Sequence, residues 1–412
     1  MWGRPLLVPL LPLLLAACSS SSGAGAELAS SGSPGQPVPA VELGDVLLVD
    51  ATLAGTTSKV VVDTGSPVVN LDPRVFPKDA LPAGSGTVSG LSVGDLVFAD
   101  PPVVGASLIN TPDPTIPLGG ILGCGILCSF AVSWNYRDLT LTLGQAPPPA
   151  NVAVPGVATG FALEGGGTFA LEGVPGTVSF SASRISVTAT VEGTPHAFIV
   201  DTGASFVFLR QAIFNQITRD GRAQIRGVSA TTTEGLSSSS VTRLKSVVVG
   251  GAEVTALPAS EDPSVENLLD GIGSEVGHPV EGLIGGSYLR EFYVTVDYPA
   301  RSLVLQRYAT RDHITDEFER VGVAMTAPDV TGKALVTTVF PGTDATKLGV
   351  VAGDAITAID GTLLRGLGGT RSSALLSGNV GAVKMVTFGA AKAPALSGQT
   401  VTIRVDELLP LP

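Results

Sequence analysis

The sequence predicts a mainly β chain made of two copies of one lobe followed by a separate C-terminal unit. Three observations carry this expectation. Of the 412 residues 44% are hydrophobic and only 15% are charged, and the Val, Gly and Thr that dominate the middle of the chain favour strands and tight turns over helices. The stretch Leu47 to Leu71 matches Ile185 to Leu209 without a gap at an offset of 138, and Ile121 to Leu143 matches Leu283 to Leu305 at an offset of 162. The last hundred or so residues share nothing with that repeat.

The N-terminus is read first. Met1 to Ala17 has one cation, Arg4, then a Leu-rich run from Leu6 to Leu15 and small residues up to Cys18, the layout of a secretory signal. Leu15-Ala16-Ala17-Cys18 resembles the lipobox of bacterial lipoproteins. The resemblance implies cleavage before Cys18, lipidation of its thiol and a membrane-anchored protein of the cell envelope, facing the periplasm or the exterior. Residues 18–40 are mostly Ser, Gly, Ala and Pro with little apolar periodicity, so a flexible tether is expected there, with structure starting near Val41.

Residues 41–146 form the first copy, 147–160 a Pro-rich linker and 161–308 the second copy. Leu47 aligns with Ile185, Gly55 with Gly193, Asp63 with Asp201, Phe130 with Phe292 and Tyr136 with Tyr298. The growth of the offset from 138 to 162 gives the second copy 24 extra residues, assigned to loops near 211–240 and 260–280. The apolar run Gly119 to Trp134 is shorter than the ~18–20 residues of a membrane span, and its repeat partner holds Arg290 and Glu291. It reads as buried helix and strand. Cys124 and Cys128 lie four apart on a predicted helix, a spacing that expects buried thiols rather than a disulfide. His196, His278 and His313 are scattered, so neither a zinc site nor another cofactor is expected. A formal charge of −12 without clustered Lys and Arg argues against a nucleic-acid partner.

Each copy ends an apolar strand in Asp-Thr-Gly: Lys59-Val60-Val61-Val62-Asp63-Thr64-Gly65-Ser66 and Ala197-Phe198-Ile199-Val200-Asp201-Thr202-Gly203-Ala204. Two carboxylates brought together share a proton, because like charge opposes ionising both, and such a pair can serve as base and acid in one hydrolysis. These motifs, each followed by apolar-apolar-Gly at Ile121-Leu122-Gly123 and Leu283-Ile284-Gly285, resemble the two lobes of pepsin-like and retropepsin-like aspartic peptidases. The resemblance implies acid-protease β-barrel lobes around an interlobe cleft, in a chain that is a pseudo-dimer by itself and needs no second copy. It implies that Asp63 and Asp201 are catalytic, and that Thr64 and Thr202 lock the lobes. Gly65 and Gly203 would permit close backbone approach, with Ser66 and Ala204 completing the supporting turns. The implied substrate is a peptide or unfolded protein. No Tyr stands between Asp63 and Tyr136, so the flap tyrosine of pepsins has no counterpart, and flap duties fall to Ala83–Gly90 and Ser229–Ser240.

Residues 316–408 are assigned to a separate unit. Val339-Phe340-Pro341-Gly342 through Ala358-Ile359-Asp360-Gly361 resembles the core motif of PDZ domains, and Val321-Gly322-Val323-Ala324 stands where that family has its carboxylate-binding loop. Two other functions compete. Gly90-Leu91-Ser92-Val93-Gly94 fits a serine-nucleophile elbow, which needs a strand before it and a helix after it. The chain could also be a non-catalytic peptide-binding protein that keeps the bilobal fold.

Overall fold

The computed structural model describes residues 28–107, 117–153, 155–170, 176–232, 235–309, 318–367, 369–410 and 412. The signal segment, Cys18 and the first part of the expected tether lie outside them. Among the described residues no helix is long and apolar enough to cross a membrane. The architecture is mainly β, as expected, with two related lobes and a C-terminal unit that has a sheet of its own.

The repeat is visible in the first hairpin of each lobe. Val46–Leu53 pairs with Thr56–Val62 around Ala54 and Gly55, and Arg184–Val191 pairs with Thr194–Val200 around Glu192 and Gly193. All four turn residues have positive φ (48°, 77°, 47° and 87°), the geometry that matches the twist of two-residue hairpins and for which Gly at the second position is suited. The second strand of each hairpin runs parallel to a short strand from later in its lobe. Val62 lies beside Leu122, and Val200 beside Ile284.

A six-stranded antiparallel layer joins the lobes, in the order Val157–Gly160, Ser302–Arg307, Phe292–Asp297, Ala131–Asn135, Thr140–Leu143 and Pro37–Leu43. At its centre Ser133 faces its own repeat partner Thr295, and their hydroxyls hydrogen-bond at 2.8 Å. Equivalent residues meeting in this way mark the pseudo-twofold axis. One continuous core fills both lobes and includes Leu47, Val62, Trp134, Ile185, Val200 and Tyr298.

Several boundaries differ from expectation. Pairing begins ahead of residue 41: Ser30–Ser31 joins Val97–Phe98, and Pro37–Leu43 is bonded on both edges. The prolines of this strand do not break it, since Pro37 and Pro39 fall in the half that pairs only with Thr140–Leu143, while residues 40–43 pair with Val46–Leu53. The linker 147–160 likewise ends in a strand, Val157–Gly160, on the edge of the joining layer. Cys124 and Cys128 are disulfide-bonded, contrary to the expectation of free thiols. The helix there is a single turn, Cys124–Leu127, capped by Cys128, and the Cα atoms stand 4.7 Å apart, within the span that a disulfide bridges.

The extra residues of the second lobe form the helices Gln211–Ile217 and Pro263–Val276 and lengthen the hairpin Gln224–Thr232/Gly235–Val249. Asp262 caps the longer helix by accepting from Ser264 N at 2.8 Å, Pro263 occupies its first position, and Gly277 closes it at φ 85°. Its Val265, Leu269 and Ile272 pack on Ile199, Phe208 and Leu283 of the second-lobe sheet.

The C-terminal unit, Glu319 to Glu407, has its own sheet and its own core, which includes Val321, Val336, Ile356, Phe388 and Ile403. It touches the second lobe. The rings of Phe318 and Phe206 stand 6.3 Å apart, Arg243 Nε donates to Leu409 O at 2.7 Å, and Thr338 Oγ1 donates to Gly227 O at 3.1 Å.

Candidate active site

Asp63 and Asp201 follow the strands Thr56–Val62 and Thr194–Val200 immediately. Each is pinned by the parallel strand of its own lobe, Asp63 N donating to Leu122 O at 3.1 Å and Asp201 N to Ile284 O at 3.0 Å. The chain then turns sharply, and the same carboxylate accepts from the glycine two residues on: Gly65 N to Asp63 Oδ1 at 2.7 Å and Gly203 N to Asp201 Oδ1 at 2.9 Å. Short polar residues followed by Gly allow this turn.

The threonines cross between the lobes. Thr64 Oγ1 donates to Val200 O at 2.8 Å and accepts from Thr202 N at 3.1 Å. Thr202 Oγ1 donates to Val62 O at 2.7 Å and accepts from Thr64 N at 3.0 Å. Both side chains are buried, so every donor and acceptor of this ring is satisfied away from water, and removing one hydroxyl would strand its partners.

Close approach explains the glycines. A Cβ on Gly65 would stand 2.6 Å from Cγ of Asp201, and one on Gly203 would stand 2.6 Å from Cγ of Asp63. Each lobe therefore lacks a side chain where the carboxyl of the other lobe sits. The turns are tied further out: Ser66 O accepts from Cys124 N at 2.9 Å and Ala204 O from Gly286 N at 2.7 Å, while Ser66 Oγ donates to Val68 O at 2.9 Å.

The two carboxyls share a side-chain hydrogen bond. Burial, then the charge of Asp201 and the bond to it, hold Asp63 well above the usual carboxylate range, against the opposing Gly65 N–H and Arg184. Asp201 is also raised by burial, and it is opposed by the bond from Asp63, the Gly203 N–H and Arg184. Such a pair stays singly protonated over a wide range of pH and can give a proton at one oxygen while taking one at another.

The remaining sequence candidates are placed as follows. Ser92 sits in the strand Leu91–Val93, which leads into a second strand, Leu96–Phe98, and no helix follows. The nucleophile elbow is thus not formed. Of the two flap candidates, the first contains the short strand Ser85–Thr87, paired with Pro102–Gly105, and the second lies in the long hairpin Gln224–Thr232/Gly235–Val249. Val321 and Val323 are fully buried in the core of the C-terminal unit. Val321 N donates to Leu376 O at 3.0 Å, Gly322 O accepts from Phe340 N at 2.9 Å, and Ala324 packs against the second lobe. Cys18 lies outside the described residues.

Arg184 was not among the candidates, because a single Arg at a strand start carries no motif. The repeat gave no signal either: at the offset of 138, the position of Arg184 is held by Val46 in the first copy.

Residues 187–288 match the family model described as aspartyl protease. A retropepsin-like aspartic protease from Rickettsia conorii is 21% identical over 30% of this chain and 82% of its own, with a TM-score of 0.20. An aspartic proteinase from Irpex lacteus is 15% identical over 68% of this chain and 98% of its own, with a TM-score of 0.41. A photosystem II D1 C-terminal processing protease is 29% identical over 23% of this chain and 24% of its own, with a TM-score of 0.20. No curated protein matches the chain.

Proposed function

We propose that the protein is an aspartic endopeptidase that hydrolyses peptide bonds with a water molecule activated between Asp63 and Asp201. The observation that carries this reading is the crossed arrangement of the two turns, in which each carboxyl fills the space left by the glycine of the other lobe. In the singly protonated pair, the ionised carboxylate takes a proton from water as its oxygen attacks the scissile carbonyl carbon. The protonated carboxyl gives its proton to the carbonyl oxygen. Collapse of the tetrahedral intermediate returns a proton to the amine nitrogen as the C–N bond breaks, and the pair is regenerated. The substrate is an extended peptide or unfolded protein segment laid across the cleft as an added strand. One chain supplies both carboxyls, so the active form is a monomer.

The C-terminal unit is assigned a PDZ-like role in recruiting peptide or regulating the cleft, on the strength of its sequence motif and its separate core. The Leu15-Ala16-Ala17-Cys18 sequence supports a lipid anchor at Cys18 and a place on a membrane of the bacterial cell envelope.

The test is digestion of a denatured protein mixture by the chain from residue 19 onward, with new termini mapped by mass spectrometry. Internal cleavage unaffected by a fluorophosphonate is expected. Stoichiometric labelling of Ser92 with loss of cleavage would instead assign the activity to a serine nucleophile.

A further inference from the structure

We propose that Arg184, anchored by Glu275, is a positioning residue that holds the negative charge of the carboxyl pair on Asp201 and leaves the proton on Asp63. The inference deepens the peptidase reading and rests on it.

Register places the guanidinium. Arg184–Val191 and Thr194–Val200 are antiparallel with Ser186 opposite Ile199, so the register carried on past the last pair leads Arg184, at the start of its strand, toward Asp201, just beyond the end of the other. Residues two apart on a strand project to one face, so Arg184 shares the face of Ser186 and Ile199. That face is the one covered by the helix Pro263–Val276, since Ile199 packs on Leu269 and Ile272. Near the end of the helix Glu275 meets Arg184, with Arg184 Nη2 at 3.1 Å from Oε2 and Nε at 3.4 Å from Oε1. Both side chains are largely buried, with 11% and 8% of their surfaces exposed. Glu275 Oε1 is held in turn by Gly166 N at 3.3 Å.

The first lobe has no equivalent. Leu48 lies opposite Val61, so the same extension leads to Val46, an apolar residue, on the side of Asp63. The asymmetry arises with the helix that the second copy gained, because that helix supplies Glu275. A cation on one side of a shared proton favours the ionised form of the nearer carboxyl, and Arg184 opposes the upward shift of both members of the pair.

Other titratable groups also surround the pair. Tyr136 and Tyr298 are buried phenols held above their ordinary range by burial, and are therefore neutral. Glu42 and Asp45 lie where the first lobe meets the second, Asp45 packed against Gly286 and ion-paired with Arg290 at 2.7 Å, so the charge of Asp45 is met by a cation of its own. Across the outer edge of its strand Arg184 faces Glu164, which is paired with His278 at 2.7 Å.

The experiment uses the full chain as wild type, Arg184→Met, Arg184→Lys and the double variant Arg184→Met/Glu275→Gln, which removes the carboxylate that the single change orphans. Two readouts are taken: the pH profile of kcat/KM on a peptide cleaved by the wild type, and 13C carboxyl spectra of aspartate-labelled protein, with Asp63→Asn and Asp201→Asn assigning the pair. In Arg184→Met and in the double variant the acid limb is expected to move to higher pH, so that kcat/KM at a fixed pH on that limb falls about three- to tenfold, and Arg184→Lys to restore most of the loss. The spectra are expected to show an ionised Asp201 beside a protonated Asp63 in the wild type, and a lost preference without the cation. An unmoved profile with unchanged spectra in folded Arg184→Met or double variant overturns the proposal, as does a Lys variant as impaired as Met. A wild type that cleaves nothing refutes the peptidase reading, while the spectra still decide the role of Arg184.

Discussion

Gly65 and Gly203 are required by space rather than by backbone conformation, since neither has a positive φ and each faces a carboxyl that a Cβ would strike at 2.6 Å. In Gly203→Ala the Asp63 carboxyl has to move, and a misplacement of this size at a reacting group costs about 100-fold in rate. Crowding of a packed site costs about 1–3 kcal/mol of stability. Measured kcat/KM and thermal unfolding are expected to show both losses; a variant with wild-type kcat/KM would show that the spacing of the pair is not what the glycines protect. At this scale the sequence was legible wherever the repeat doubled a residue, as with Asp63 and Asp201 or Thr64 and Thr202. It was silent where the second copy departs from the repeat. Arg184 stands against Val46 and Glu275 lies in an insertion, so neither has a partner to draw attention to it.

Among the elements, the strand Pro37–Leu43 shows most clearly how tertiary context overrides composition. Its prolines and flanking Gly and Ser read as tether, yet its first half pairs with Thr140–Leu143 and its second half with Val46–Leu53. This places Glu42 beside Asp45 in the following turn, and Arg290 binds Asp45 through both oxygens at 2.7 and 2.8 Å. Burial first, then the charge of Asp45 and the hydrogen bond to it, push Glu42 up to about 7 from 4.5, against the pull of Arg290. A carboxyl raised in the folded state binds more protons there than in the unfolded chain. Its contribution to stability is therefore full below 4.5 and is lost as pH rises through about 7. Glu42→Gln does not titrate, so relative to wild type it should gain about 1–2 kcal/mol between pH 4 and pH 8, allowing for partial exposure. Denaturant unfolding at the two pH values measures this; a constant difference between the proteins would contradict it. The disulfide escaped prediction for a related reason, because the spacing of a continuous helix does not describe a one-turn helix that ends at Cys128.

On the scale of the whole molecule, duplication accounts for the paired hairpins, the joining layer and the site on the axis between the lobes. The gapless matches at 138 and 162 made this arrangement readable, and the same separations recur in hydrogen bonds between Thr64 and Thr202 and between Ser133 and Thr295. The way the C-terminal unit meets the second lobe was not readable, since it depends on single residues such as Phe318, Phe206 and Arg243 that follow no pattern. The central claim is that Asp63 and Asp201 form one catalytic unit. It is tested most directly by kcat/KM for peptide hydrolysis in Asp63→Asn, Asp201→Asn and the double variant. Each single change is expected to lower kcat/KM by at least about 1,000-fold, and the double variant to be no worse than either, because residues that act as a unit are not additive. Cleavage at the wild-type rate by either single variant would contradict the account.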